Sequence, residues 1–216
     1  MLQRALAYPY AAPDRSFLQL GARTLELPAG ELDLAGRGPL LSYGANAAPA
    51  VLARKLATLP REPLPLVRAE LRGFDAVYSA HVSPYGAVPA TLRRSPGTAI
   101  SLFVAFPTAE QLKLLAATEP NYELRELQGL SGELETGGPL ERAAAFLSRH
   151  GSLRIATEPV ALAAIEARGR RFDAVDEAEM LELVRSRLFP EMSLERLVTR
   201  SVEAAGIAPL PTFHPL

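Results

Sequence analysis

The 216-residue sequence predicts an α+β protein, and three observations carry that expectation. Short apolar runs, broken by Pro and Gly, alternate with helix-spaced stretches as far as about residue 127. From about residue 139 the apolar residues fall at helical spacing instead. Between the two lies 128–138, QGLSGELETGG, whose four glycines predict a flexible loop. The division expected is a first domain over 1–130 and a helical C-terminal region over 139–216, packed on it.

Taken in order, 16–27 (SFLQLGARTLEL) reads as a hairpin or a pair of short strands. Residues 39–43 (PLLSY) form a short apolar strand that ends at Gly44. Residues 49–56 carry apolar side chains at helical spacing, and Pro49 suits a first helical turn. Residues 66–79 alternate like a strand and are interrupted at Gly73. Residues 90–94 and 99–106 read as two strands joined by a turn at Ser95-Pro96-Gly97. Thr108, with Gln111 three residues on, marks a capping box. A helix over 109–117 follows, and Pro120 stops it. Residues 122–127 return to strand. Helices are then expected over 139–150, 159–168, 176–188 and 193–205, with Gly206 ending the last. The Pro-rich tail 208–216 is expected to be extended.

Composition removes several kinds of chemistry. The 23 basic and 24 acidic residues give a net charge of −1, with no basic surplus of the sort nucleic-acid binders show. The short run Arg168-Gly169-Arg170-Arg171 is followed by Asp173 and Asp176, which offset its field. There is no cysteine, so disulfides, thiolate metal sites and cysteine nucleophiles are excluded. His81, His150 and His214 are too scattered to have metal-ligand spacing, and no metal or cofactor is expected. No apolar run approaches the length of a membrane span, and the N-terminus lacks a signal-peptide pattern. A cytoplasmic location is the default expectation.

Two stretches attract chemistry. In Leu41-Ser42-Tyr43-Gly44-Ala45-Asn46 an apolar strand enters a glycine turn just before a helix. Gly44 can adopt backbone angles closed to other residues, and backbone N–H groups at a helix entrance suit a carboxylate or phosphate. A plain strand-to-helix turn with Asn46 as local cap is the alternative. In Leu115-Ala116-Ala117-Thr118-Glu119-Pro120-Asn121-Tyr122, Glu119 follows a helix end. The negative helix terminus and apolar neighbours both disfavour a bare carboxylate, the condition a general acid/base near neutrality needs. A solvated loop glutamate is the alternative.

Together these stretches resemble the gamma-glutamylcyclotransferase-like superfamily, also called AIG2-like. Its members share a Tyr-Gly-Ser-Asn type motif after the first strand, matched here by Tyr43-Gly44-Ala45-Asn46. An Ala-Thr pair, a turn and a second apolar strand follow, matched by Ala90-Thr91, Ser95-Pro96-Gly97 and 99–106. A helix ending in a Leu-Asp-x-x-Glu type motif, with a tyrosine beyond, is matched by Leu115, Glu119 and Tyr122. The resemblance spans about 39–127. It departs at Ala45, where the family has serine, and at Ala116, where it has aspartate.

The resemblance implies a small mixed β-barrel with flanking helices. It implies a cofactor-free reaction in which a gamma-glutamyl amine or peptide cyclises to 5-oxoproline and releases its amine. Glu119 would be the acid/base, and the backbone of Gly44, Ala45 and Asn46 would bind the polar end of the substrate. Tyr43 would line the pocket, and Tyr122 would orient Glu119 or close the cavity. The expected partner is one small gamma-glutamyl compound, without nucleic acid or membrane, and a homodimer is left open. The two departures and the extra C-terminal region keep a second reading open, a non-catalytic binding or regulatory relative. A third, a hydrolase on Ser79 and His81, rests on two residues that share a strand face but lack a Gly-x-Ser-x-Gly elbow.

Overall fold

The structure is a computed structural model that describes residues 1–28 and 32–213. His214 and the last two tail residues therefore lie outside the described residues. The chain begins with α1 (Leu2–Leu6), then β1 (Phe17–Leu20), β2 (Arg23–Glu26) and β3 (Leu40–Ser42). A 3₁₀ turn at Ala45–Ala47 leads into α2 (Pro49–Lys55). Two long strands follow, β4 (Leu64–Tyr78) and β5 (Ala90–Ala105), then α3 (Ala109–Ala117), β6 (Tyr122–Leu134) and β7 (Pro139–Ser148). Short strands come next: β8 (Arg154–Ile155), β9 (Glu158–Pro159), β10 (Ala161–Leu162), β11 (Ala167–Arg168) and β12 (Ala174–Val175). The helices α4 (Glu177–Leu188) and α5 (Leu194–Glu203) complete the chain. No described helix is long and apolar enough to cross a membrane.

The sheet closes on itself. β5 pairs with β3, β3 with β7, β7 with β6, β6 with β4, and β4 with β5. The β3–β7 pair is parallel and the other four are antiparallel, which makes a small mixed barrel. Closure removes the free edges that an open sheet would expose. The β1–β2 hairpin extends the sheet from the start of β4, through Phe17↔Leu66. Two apolar clusters follow the two sides of the barrel wall. Leu41, Leu71, Ile100 and Val104 belong to one, and Leu40, Leu66, Phe103 and Leu115 to the other. Helix α3 begins as expected: the Thr108 hydroxyl accepts from the Gln111 N–H, and the Gln111 side chain accepts from the Thr108 N–H.

Several expectations need correction. Residues 139–150 are not a helix; β7 occupies 139–148, between β6 and β3. Leu140, Ala144 and Leu147 mimic helical spacing because both faces of this strand are apolar. Ala143 and Ala145 join one cluster, while Phe146 joins the other with Ala144 packed beside it. A strand buried on both faces loses its period-two signal. Residues 159–168 are likewise not a helix. They supply β10 and β11, bound to Val77 of β4 and to Ile100 and Ala99 of β5. The loop expected over 128–138 is mostly strand, since β6 runs to Leu134 and only a tight turn separates it from β7. Residues 95–97 do not join two strands. They form a bulge in one strand, where the register jumps from Arg72↔Ala99 to Phe74↔Arg94. Gly73 and Gly97 take up that distortion with positive φ, +79° and +88°.

These corrections also remove the division at 130/139. β7 closes the barrel, so the first structural unit does not end before it. The helical part of the C-terminal region is α4 and α5 alone, and it packs against loop 79–89. Val82 and Ile207 exchange both backbone hydrogen bonds, at 2.8 and 2.9 Å, and the Leu210 N–H donates to the Ala80 carbonyl at 2.7 Å. A Cβ at Gly86 would sit 2.7 Å from Val198 of α5. From α4, Glu177 Oε1 accepts the Val88 N–H at 2.7 Å.

Glu177 Oε2 has no protein partner among the described residues, and burial pushes the carboxyl well above its ordinary range. A raised folded pKa gives stability that is complete at acid pH and lost as pH rises through it. Glu177→Gln keeps the acceptor for Val88 and removes the charge. It should raise unfolding stability by about 1 kcal/mol at pH 8, with a smaller gain at pH 5, in urea titrations at both pH values.

Candidate active site

The turn after β3 makes one wall of the site. Leu41 and Ser42 are fixed by pairing with Val104 and Phe103 of β5. Beyond them, the Ala47 N–H donates to the Gly44 carbonyl at 2.9 Å and starts the 3₁₀ turn. The N–H groups of Ala45 and Asn46 precede the first donor of that turn, so the turn itself cannot satisfy them. Gly44 is extended, with φ −157°, so it is not glycine for its backbone angles. It is glycine for space, because a Cβ there would lie 2.5 Å from the Tyr8 hydroxyl oxygen.

Glu119 meets that wall at Asn46. The C-terminal end of α3 holds it, through its N–H to the Ala116 carbonyl at 3.0 Å. Its Oε1 accepts from Asn46 Nδ2 at 3.0 Å and from Lys55 Nζ at 2.5 Å. Lys55 Nζ also donates to Asn46 Oδ1 at 2.8 Å, which closes a three-membered ring of contacts. The pair Lys55–Glu119 is mostly withdrawn from water, at 11% and 16% side-chain exposure. Glu119 Oε2 receives no protein hydrogen bond among the described residues. The glutamate is therefore not a solvated loop residue. It is not a bare carboxylate either, because the Lys55 ammonium balances it.

Two spaces share Glu119 in their walls. An inner chamber of about 40 Å³ is bounded by Tyr8, Tyr43, Gly44, Asn46 and Tyr122. An outer cleft of about 280 Å³ is bounded by Arg54, Lys55, His81, Tyr85 and Asn121. Glu119 and Tyr122 line both. All the site residues expected from sequence, Tyr43, Gly44, Ala45, Asn46, Glu119 and Tyr122, line the inner chamber. Their hydrogen bonds differ in part from expectation. Tyr122 donates to the Ala90 carbonyl at 2.9 Å rather than to Glu119. Tyr43 donates to the Phe146 carbonyl. Burial raises the pKa of both phenols, so they remain protonated. Neither Arg93 nor Arg94 lines the site; Arg94 lies over the Phe74 ring.

Three residues of the site had no place in the sequence reading: Tyr8, Lys55 and Tyr85. A signal for Lys55 existed. Of 23 basic side chains, only Lys55 and Lys113 are lysine in a chain that otherwise uses arginine. Tyr8 and Tyr85 carry no motif, and only the tertiary structure brings them in.

The Ser79 and His81 pair does form, with Ser79 Oγ 2.7 Å from His81 Nδ1. Ser79 is fully buried and lines neither space, so no substrate reaches its hydroxyl. The hydrolase reading falls with that. His150 follows β7 rather than a helix, and its Nε2 lies 3.1 Å from Asn121 Oδ1. Burial, with His150 adding to it, pushes His81 down to about 3, so it stays neutral near pH 7. A depressed folded pKa gives stability present above the unfolded value of about 6.5 and lost as pH falls toward the folded one. Wild-type protein should therefore lose about 2 kcal/mol more than His81→Asn between pH 7 and pH 5, by urea unfolding.

No family model matches the sequence, and no curated protein does. Among solved structures, the chain is similar to one described as gamma-glutamyl cyclotransferase, at 14% identity and a TM-score of 0.41. That match covers 52% of this chain and 66% of the other, so this chain spans just under two thirds of that relative. It is also similar to a protein of Arabidopsis thaliana solved in solution, at 20% identity and a TM-score of 0.40, over 57% and 74% of the two chains. An uncharacterised protein from Homo sapiens gives 17% identity and a TM-score of 0.40, over 52% and 67%.

Proposed function

We propose that the protein is a gamma-glutamylcyclotransferase-like enzyme that converts a gamma-glutamyl amine or peptide to 5-oxoproline and a free amine. One observation carries this reading. The Glu119 side chain accepts both of its protein hydrogen bonds on Oε1 and leaves Oε2 for a ligand, where a small chamber and a larger cleft share it in their lining. A substrate cleaved at its gamma-carbonyl has two halves that fit such a division. The glutamyl half enters the chamber and the amine half stays in the cleft. The resemblance of Tyr43-Gly44-Ala45-Asn46 and Glu119 to the superfamily's motifs supports the same choice.

The chemistry follows from the placement. Glu119 Oε2 takes a proton from the substrate's α-ammonium, and the freed amine attacks the γ-carbonyl carbon. A carbon–nitrogen bond forms and closes a five-membered ring, and the carbonyl oxygen becomes an alkoxide. The alkoxide collapses and the bond to the leaving nitrogen breaks. Two protons leave the α-nitrogen in all and two arrive on the leaving nitrogen, relayed by Glu119. Lys55 and Asn46 both donate to Oε1, which fixes the rotation of the carboxylate and keeps Oε2 free of protein donors. Holding the two reacting groups of one substrate together supplies several kcal/mol of the barrier reduction. The backbone of Gly44, Ala45 and Asn46 faces the substrate's polar end across the chamber.

A second reading keeps the pocket and drops turnover. The Lys55–Glu119 contact, at 2.5 Å, favours it, because an ion pair of this kind can serve to shape a pocket without taking part in chemistry. Release of 5-oxoproline from gamma-glutamyl amines and peptides decides between them. Turnover by the wild type, with a loss of at least about 100-fold in Glu119→Gln, is the expected result. Calorimetric binding without any 5-oxoproline would establish the second reading, and undiminished turnover by Glu119→Gln would remove the glutamate from the mechanism.

A further inference from the structure

Ala90 opens β5 and holds two phenols in opposite senses. Its carbonyl accepts the Tyr122 hydroxyl at 2.9 Å, and its N–H donates to the Tyr8 hydroxyl oxygen at 2.7 Å. The consequence lies in the protons. Tyr122 spends its proton on Ala90, and Tyr43 spends its own on Phe146. Tyr8 uses its oxygen as an acceptor, and its proton has no protein acceptor among the described residues.

The hydroxyl is also well placed and rigid. Tyr8 is 5% exposed and bounds the inner chamber. Its oxygen stands so close to residue 44 that only glycine leaves room for it. Tyr85 stacks on its ring at 6.4 Å between centroids, and Tyr10 meets it edge-on at 5.9 Å. Burial raises the phenol's pKa well above the ordinary tyrosine value, so it keeps the proton it would donate. Tyr8 lies in the segment after α1, outside the span over which the sequence resembles the superfamily.

We propose that Tyr8 is a catalytic residue whose hydroxyl donates a hydrogen bond to the γ-carbonyl oxygen of the substrate as that oxygen becomes an alkoxide. This rests on the cyclotransferase reading. The alkoxide forms on the same substrate whose α-ammonium proton the carboxylate accepts, and Tyr8 and Glu119 both line the chamber. No proton is transferred by Tyr8. It stabilises charge that develops in the tetrahedral intermediate and disappears when the amine leaves. A fixed donor in a site shielded from water acts mainly on the chemical step.

The test compares wild type, Tyr8→Phe and a variant with 3,5-difluorotyrosine at position 8, in 5-oxoproline release and in calorimetric titration with 5-oxoproline. Tyr8→Phe should lower kcat by about 100-fold and raise KM by no more than about tenfold, because the bond strengthens as charge develops on the oxygen. It should also weaken 5-oxoproline binding by about tenfold, since the product lactam presents the same oxygen. The fluorinated phenol keeps the Ala90 bond and is a stronger donor. It should retain or raise kcat, and the acid limb of its pH–rate profile should match the wild type, while its activity falls at a lower alkaline pH as the phenol ionises. Turnover by Tyr8→Phe at the wild-type kcat overturns the proposal and leaves the cyclotransferase reading standing. No turnover by wild type, with binding of 5-oxoproline that depends on Tyr8, removes that reading and keeps the hydroxyl as a ligand donor. Neither turnover nor binding overturns both. A fluorinated variant as inactive as Tyr8→Phe at neutral pH overturns it as well.

Discussion

One carboxylate oxygen joins parts of the chain that are otherwise far apart. Glu119 Oε1 accepts from Asn46, 73 residues away, and from Lys55, 64 residues away. Each donor needs its own element. Asn46 depends on the turn after β3, and Lys55 on the last turn of α2. Glu119 depends on the stop of α3. A largely buried ion pair adds little net stability, because desolvation offsets most of its attraction. Its value here is geometric. It decides which oxygen of the carboxylate is occupied and which is left without a protein donor among the described residues.

The barrel makes that contact reproducible. β3 is only three residues long, yet it is held on one side by β5 and on the other by β7. Without β7 its second edge would be open and the turn carrying Asn46 would lose one support. The C-terminal helices act one layer further out. They do not cover the cleft. α4 clamps Val88 through Glu177, and α5 fills the space over Gly86. Both grips fall on the loop that presents Tyr85 to the outer cleft. The same helices touch α1, which delivers Tyr8. What looks like an appendage in the sequence is the backing of one wall.

The parts legible in the sequence are those whose signal is local. The Thr108–Gln111 capping box, the proline entry to α2 and the hairpin at 16–27 are set by neighbours a few residues away, and each is found where expected. Asp176 and Ser193 likewise cap α4 and α5. The failures share one cause. β7 and the strands at 159–168 draw their hydrogen bonds from distant partners, so their own spacing does not report their state. The site divides in the same way. Asn46 and Glu119 stand in recognisable motifs, and the turn and helix end that hold them are local structures. Lys55 and Tyr8 reach the site only through tertiary packing, and Gly44 is required by Tyr8 rather than by its own backbone angles.

Ala90 shows how much of the site is carried by backbone. Its two bonds to Tyr8 and Tyr122 are made by backbone atoms, so the identity of the side chain does not make them. The side chain is constrained by space instead. Its Cβ lies 3.9 Å from where a Cβ on Gly44 would be, across the floor of a chamber of about 40 Å³. A larger residue at 90 would fill that chamber while leaving both hydrogen bonds intact. The backbone of residue 90 thus sets the direction of two phenols, and its methyl group sets the room left for a ligand. Orientation and volume, the two properties a small-molecule site must fix, are controlled at a single position of β5 by different atoms of one residue.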